Sequence, residues 1–232
     1  MKNRKKCLWI AGLVYAAGAL ISCGNSDFED EKQVELAFDG RTFEKTAFRE
    51  IVKRGKTAKI MITDDSSWNT YSNGGGDQQL LRGVFLKDRK VTLSPFALSC
   101  YEVTQELYEA VMLHNPSTFT SSGDTKLRPV ETVNWYAAIT FCNKLSLKMG
   151  LKPCYGIKDV DWAAIQYDEI PDTANTEWDS VQLDAQSGGF RLPTETEWEF
   201  AARGGDTTKA DWRFAFSGTQ CKSIDPSKFL KK

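Results

Sequence analysis

The chain has 232 residues, 41% hydrophobic and 26% charged, with 17 Gly and 7 Pro, which suits an ordinary folded domain and excludes a disordered or collagen-like chain. Thirty Lys and Arg stand against 31 Asp and Glu, so no basic excess is available to neutralise a phosphate backbone, and nucleic acid is not an expected partner. The single histidine, His114, excludes from this chain alone any metal centre built on two or more imidazoles.

Lys2, Arg4, Lys5 and Lys6 precede an uncharged apolar run over residues 8–19. That is the layout of an export signal, and the run is too short to span a bilayer. It closes on Leu20-Ile21-Ser22-Cys23, which resembles the bacterial lipobox, where cleavage before the cysteine leaves an N-terminal Cys to be diacylated. Residues 1–22 are therefore expected to be a lipoprotein signal peptide, with Cys23 the lipid attachment and membrane lipid the first partner. The expected location is the cell envelope, inner or outer membrane left open. Without residues 1–22 the chain carries 26 basic against 31 acidic residues and is acidic. Cys100, Cys142, Cys154 and Cys221 then remain besides Cys23, and three disulfide connectivities are open to them.

Residues 23–42, polar and acidic, read as a tether. A short helix is expected over residues 45–53 and a strand over 58–62, followed by loops at 64–67 and 72–76. The triplet Gly74-Gly75-Gly76 lacks a following Lys-Ser or Lys-Thr and is read as a plain surface loop. Val84, Leu86, Val91 and Leu93 on either side of Lys87-Asp88-Arg89 predict a hairpin over residues 83–96. Thr104 can cap a first helix whose Leu107, Tyr108, Val111 and Met112 share a face, ended by Asn115-Pro116-Ser117. Asn134 caps a second, in which Trp135, Ala138, Ile139, Cys142, Leu145 and Met149 recur at helical spacing before Gly150 stops it. Residues 155–186 read as hairpin and loop, with Trp162, Trp178, Val181 and Leu183 at strand-like intervals.

The sharpest local signal is Pro193-Thr194-Glu195-Thr196-Glu197: the Thr194 hydroxyl can take the Glu197 amide proton while the Glu197 carboxylate reaches back to the Thr194 amide, a capping box. Gly204-Gly205 supplies a left-handed exit from this third helix. Short helices mixed with short hairpins make the fold class α+β. On this reading Trp135 and Trp198 are core residues, Arg191 and Glu197 scaffold a helix entrance, His114 is a surface residue and Cys142 a small buried hydrophobe.

Gly189-Phe190-Arg191-Leu192-Pro193-Thr194-Glu195-Thr196-Glu197-Trp198-Glu199-Phe200-Ala201-Ala202-Arg203-Gly204-Gly205 closely resembles the signature of the formylglycine-generating enzyme family, the sulfatase-modifying factor domain. Tyr101-Glu102-Val103-Thr104-Gln105, Asn115-Pro116-Ser117, Arg128-Pro129-Val130-Glu131, Asn134-Trp135-Tyr136-Ala137-Ala138 and Phe141-Cys142-Asn143-Lys144-Leu145-Ser146 occur in the family's order.

The resemblance implies a variant of the C-type lectin fold with little regular structure, its C-terminal part missing. The resulting division is 1–22 signal, 23–42 tether, 43–82 N-terminal extension, 83–218 sulfatase-modifying-factor-like domain and 219–232 polar tail. Complete members bind copper(I) through two late cysteines and oxidise a sulfatase cysteine to formylglycine, thiolate softness selecting the metal. Neither Cys100, Cys142, Cys154 nor Cys221 stands where that pair stands, so no catalytic residue, metal site or cofactor is carried over. The expectation is an envelope lipoprotein with an incomplete, inactive domain of lowered stability. The alternatives are a lectin-like module displaying loops 118–125 and 159–186 to a protein or glycan ligand, or an oxidase completed by another chain.

Overall fold

A computed structural model describes residues 35–61, 84, 85, 88–121, 123–184, 186–208 and 212. The export signal, Cys23, the glycine triplet at 74–76 and Cys221 lie outside the described residues. Secondary structure is sparse and mixed: short strands, four α-helices and a single 3-10 turn at Tyr167–Glu169 among the described residues. The described residues form two compact units, the first from residues 35–50 and 96–193, the second from 51–95 and 194–212.

In the first unit, β1 (Ala37–Phe38) and β2 (Arg41–Thr42) form a two-stranded antiparallel pair. Residues from Glu35 onward thus belong to the fold and not to a tether: Leu36, Phe38 and Phe43 are buried, and the Phe38 and Phe43 rings stack with centroids 4.5 Å apart. The expected helix over 45–53 is instead the strand β3 (Phe48–Val52), which pairs with β6 (Phe96–Ser99). Its approach is set by a turn that no helix could share. Lys45 has φ 55°, and the Thr46 hydroxyl donates to Phe43 O at 2.6 Å while accepting the Leu36 N–H at 2.7 Å.

Two helices carry the core of this unit. Thr104 caps α1 (Gln105–Met112), its hydroxyl accepting from the Leu107 N–H at 3.3 Å. Asn134 caps α2 (Trp135–Lys148) by accepting from the Ala137 N–H at 2.8 Å, and Gly150, at φ 65°, follows its end. The two helices pack through stacked Tyr108 and Phe141, centroids 5.2 Å apart and both 0% exposed. Around this pair Val103, Leu107, Val111, Ile139, Leu145 and Phe190 complete a continuous apolar core. After α2 come β7 (Tyr155–Gly156), α3 (Thr176–Asp179) and β8 (Gln182–Leu183), β7 and β8 forming an antiparallel pair. Trp178, expected at strand spacing, lies in α3 because Asn175 Oδ1 accepts the N–H groups of Glu177 and Trp178 and starts a helical turn there.

In the second unit, β4 (Ala58–Met61) pairs antiparallel with β5 (Lys90–Leu93), Ala58 opposite Leu93 and Met61 opposite Lys90. β5, expected in a hairpin over 83–96, pairs with β4, and residues 83, 86 and 87 of that hairpin lie outside the described residues. The Val84 N–H goes to Glu199 Oε2 at 2.5 Å, and a donor spent on a carboxylate cannot join a strand ladder. Helix α4 (Glu195–Ala202) opens with the capping box read from the sequence. Glu197 N–H donates to the Thr194 hydroxyl at 3.2 Å, and Thr194 N–H to Glu197 Oε2 at 2.8 Å. Glu199 also holds Arg203 one turn on, at 2.7–2.8 Å, and both are buried. Trp212 closes over this pair, 5.9 Å from the guanidinium, with its edges against Phe85 and Phe200. A buried pair stabilises only when its remaining hydrogen-bonding capacity is filled, and here the Val84 amide and Trp212 carbonyl help to fill it.

Candidate functional site

Helix α2 organises two chemically different regions of the first unit. Deep on its C-terminal half, Asn143 Oδ1 accepts the N–H groups of Cys154 and Tyr155 at 3.1 Å each, and Nδ2 donates to Tyr155 O at 2.8 Å. Ser146 donates to Cys142 O at 2.7 Å and accepts the Phe190 N–H at 2.8 Å. Ser187 donates to the carbonyls of Lys152 and Pro153. These side chains do the backbone hydrogen bonding of segments that have little secondary structure of their own.

The thiols of Cys142 and Cys154 lie within this region, both unbridged, 0% and 1% exposed. Burial pushes the Cys142 thiol well above its ordinary value, and the neighbouring Cys154 adds to the effect. Burial also raises Cys154, partly opposed by a hydrogen bond with Ser187 and by the Arg191 charge. Both are therefore protonated and enclosed at neutral pH, the opposite of a nucleophilic thiolate.

At the other end of α2 the backbone is pinned as firmly, but apolar side chains are left in water. Glu131 gathers the loop at 117–119: its carboxylate accepts the Thr118 N–H, the Phe119 N–H at 2.9 Å and the Thr132 hydroxyl at 2.5 Å, while its own N–H donates to Ser117 Oγ. Those donors hold the Glu131 carboxyl below the usual carboxylate range, the Thr132 hydroxyl foremost. On the opposite side, Asn134 Nδ2 donates to Pro171 O at 2.9 Å. The Tyr136 hydroxyl donates to Asp179 Oδ1 at 2.5 Å and accepts the Asn175 N–H at 3.0 Å. Trp135, Tyr136, Trp178 and Trp162 follow one another edge to face at 5.5–5.8 Å. His114 stacks on Tyr167 at 3.9 Å.

From this fixed frame Leu113 is 83% exposed, Phe119 66% and Trp135 43%. Leu113 sits at φ 56°, a left-handed position that Asn or Gly occupies at lower cost. A separate open cleft of about 610 Å³ is lined by Glu35, Thr42, Glu44, Lys45 and Tyr101 among others. Its lining contains no His or Cys.

The residues singled out in the sequence are thus dispersed by role. Thr194 and Glu197 cap α4, as read. Arg191 is buried and donates to Leu192 O at 2.9 Å. His114 is exposed and Cys142 is buried, as expected. Trp135 and Trp198 are corrected: at 43% and 44% exposed they are not core residues. Trp135 is the first residue of α2 and points past the end of the helix-packing surface, while Ala137, Ala138, Ile139 and Phe141 provide the buried contacts. In α4 that burial falls to Phe200, Glu197 and Glu199. Phe119 and Asp179 fall within the loops 118–125 and 159–186 read as display regions, whereas Leu113 and Tyr136 were not singled out for function. The available signal was the run from residue 159 to 190, which holds eight acidic residues and no Lys or Arg.

Residues 53–228 match the model of the sulfatase-modifying factor enzyme 1-like domain. The chain belongs to this family. It is 42% identical over 132 residues to "Chaperone protein LppX" of Paenibacillus barcinonensis, a match covering 57% of this chain and 43% of that protein. Among solved structures it resembles Treponema denticola variable protein 1 with a TM-score of 0.53 and 40% identity, over 75% of this chain and 60% of that one. The chain therefore spans less than two thirds of either relative. The fold is the family's α+β variant of the C-type lectin fold, with little regular structure.

Copper(I), the metal that the family resemblance implies, needs accessible thiolates. Cys142 and Cys154 are enclosed and protonated, so they do not fit it, and no redox step is assigned to them. Among the described residues no group of three or more His, Cys, Asp or Glu is arranged to hold a metal ion, and no helix is long and apolar enough to cross a membrane.

Proposed function

We propose that the protein is an envelope lipoprotein, anchored through a diacylated Cys23, whose sulfatase-modifying-factor-like domain acts by binding a protein ligand and not by oxidising a cysteine. The observation that carries this reading is the pairing of exposure with order at the front of α2. Phe119 and Trp135 stand in solvent on a backbone held by Glu131, Asn134 and Tyr136. Apolar groups presented this way cost little further ordering on association, which is how a preformed binding surface is built. The loops displaying them are the ones in which a rigid scaffold ordinarily carries function. A family relative named for a chaperone role is in keeping with a domain that holds another protein.

Two measurements test the reading together. A photoreactive amino acid at position 119 of the anchored, full-length protein is expected to yield discrete protein adducts in the envelope that the same group at exposed Lys158 does not. The purified protein, given copper(I), dioxygen and a peptide with the sulfatase Cys-x-Pro-x-Arg pattern, is expected to form no aldehyde. Aldehyde formation, or equal adducts at both positions, overturns it.

A further inference from the structure

The face at the front of α2 has a definite charge as well as an apolar surface. Of the eight acidic residues between 159 and 190, five have partners: Asp159 lies near Lys158, Asp161 accepts the Ala163 N–H, Glu169 the Gln166 N–H, Asp179 the Tyr136 hydroxyl, and Asp184 pairs with Lys152 at 2.6 Å. Asp168, Asp172 and Glu177 are exposed, and their carboxylates make no ion pair or hydrogen bond among the described residues.

Two of these three belong to segments that contact the elements carrying the apolar residues. Asp168 follows Tyr167, on which His114 stacks next to Leu113; Asp172 follows Pro171, whose carbonyl Asn134 holds next to Trp135. Three cations on neighbouring elements are already engaged. Lys144 feels the charges of Asp161 and Glu169, Lys148 pairs with Asp39 at 2.7 Å, and Arg128 donates to Phe119 O at 3.5 Å.

We infer that this face docks a basic protein segment, in which Lys or Arg side chains lay their aliphatic stems on Leu113, Phe119 and Trp135 and extend their charges to Asp168, Asp172 and Glu177. A long cationic side chain is the one residue type that satisfies both parts of such a surface, since its methylenes cover apolar groups while its head remains with carboxylates or over an indole ring. Complementary rim charges also steer encounter and reject partners of the wrong sign, an acidic protein or an anionic lipid surface included. The inference rests on the binding reading above and names its partner chemistry.

The test uses the full chain and two fluorescent peptides, one of alternating lysine and leucine, the other of alternating glutamate and leucine, followed by anisotropy at low and moderate salt. The lysine peptide is expected to bind and to weaken as salt rises; the glutamate peptide is not. Trp135→Ala is expected to lower affinity about tenfold, and the combined Asp168→Asn, Asp172→Asn, Glu177→Gln variant about threefold, with a flatter salt dependence. A control triple, Glu35→Gln, Asp39→Asn, Glu44→Gln, removes the same charge from the region that Lys148 contacts at the opposite end of α2, and is expected to leave affinity unchanged. Unaltered thermal transitions establish that the variants fold.

Equal loss in both triple variants would reduce the effect to net charge, and equal binding of the glutamate peptide would remove the charge selection; either overturns the inference. So does failure of both peptides to bind. Envelope adducts at position 119 would in that case keep the binding reading while excluding a basic partner.

Discussion

Along its C-terminal half, α2 sends Asn143 and Ser146 into the interior at 0% exposure, each with its polar atoms bonded to the backbone of residues 154, 155 and 190. At its first turn the same helix leaves Trp135 43% exposed, and the loop before it leaves Phe119 66% exposed, although the local backbone is just as thoroughly bonded. Polar groups have been taken out of water where the chain needs a scaffold, and apolar groups have been left in water where the scaffold ends. Satisfied buried polar groups fix one arrangement of loops; unsatisfied apolar surface is available for a partner. The contrast teaches that order and burial are separate properties here, and that function is to be sought where they part.

The largest effect that would break this comparison is at Gly189. A methyl group there would lie 2.2 Å from Lys152 O and 2.7 Å from Ser146 Oγ. Gly189→Ala is therefore expected to cost roughly 3 kcal/mol or to prevent folding, since a backbone atom must move to admit it; urea unfolding measures it, and a shift under about 1 kcal/mol would contradict the packing described. Next comes Asn143→Ala. It strands two amide protons and a carbonyl, and is expected to cost roughly 2–3 kcal/mol by the same measurement. Asn134→Ala removes the α2 cap and the bond to Pro171 O, for about 1 kcal/mol, and hydrogen exchange of residues 135–138 should rise with it.

A smaller, pH-dependent effect sharpens the interior half of the comparison. Burial raises the folded pKa of Cys142 and Cys154, so up to the ordinary thiol value of about 8.5 both are neutral in folded and unfolded chains alike. Above that pH the unfolded thiols ionise while the folded ones do not, and stability is lost as pH rises. A melting temperature that falls above about pH 8.5, less steeply in Cys142→Ala, is the expected result; a flat profile would place the thiols in contact with water. The smallest effect belongs to the front face. Trp135→Ala is expected to change stability by under about 0.5 kcal/mol while weakening peptide binding at that face about tenfold, and a large destabilisation would return Trp135 to the core.

Local chemistry in the sequence identified the parts that local chemistry controls. Thr104, Asn134 and Thr194 were legible as caps because a side-chain oxygen beside the first free amides of a helix acts within three residues. The ordered motifs from Tyr101 to Gly205 identified the family. Strand pairing was not legible: β5 pairs with β4, while the Val84 N–H goes to Glu199, 115 positions away. Residues 48–52 form a strand because their partner β6, at residues 96–99, is brought alongside only by the fold. The candidate site divided in the same way. Its acidic run could be counted, but the exposure of Trp135 and Leu113 could not, because an apolar residue at helical spacing is buried or exposed according to what packs against it.

Composition, capping and motif order by themselves determined a single-histidine α+β chain of the sulfatase-modifying-factor family with helices α1, α2 and α4 in place. Tertiary structure alone decided that Cys142 and Cys154 are sealed in neutral form, that both motif tryptophans face solvent, and that Leu113 and Phe119 are exposed. The physical reason is one of range. Caps and turns are settled by hydrogen bonds between residues a few positions apart, whereas burial and electrostatic environment are set by segments that only the folded chain brings into contact.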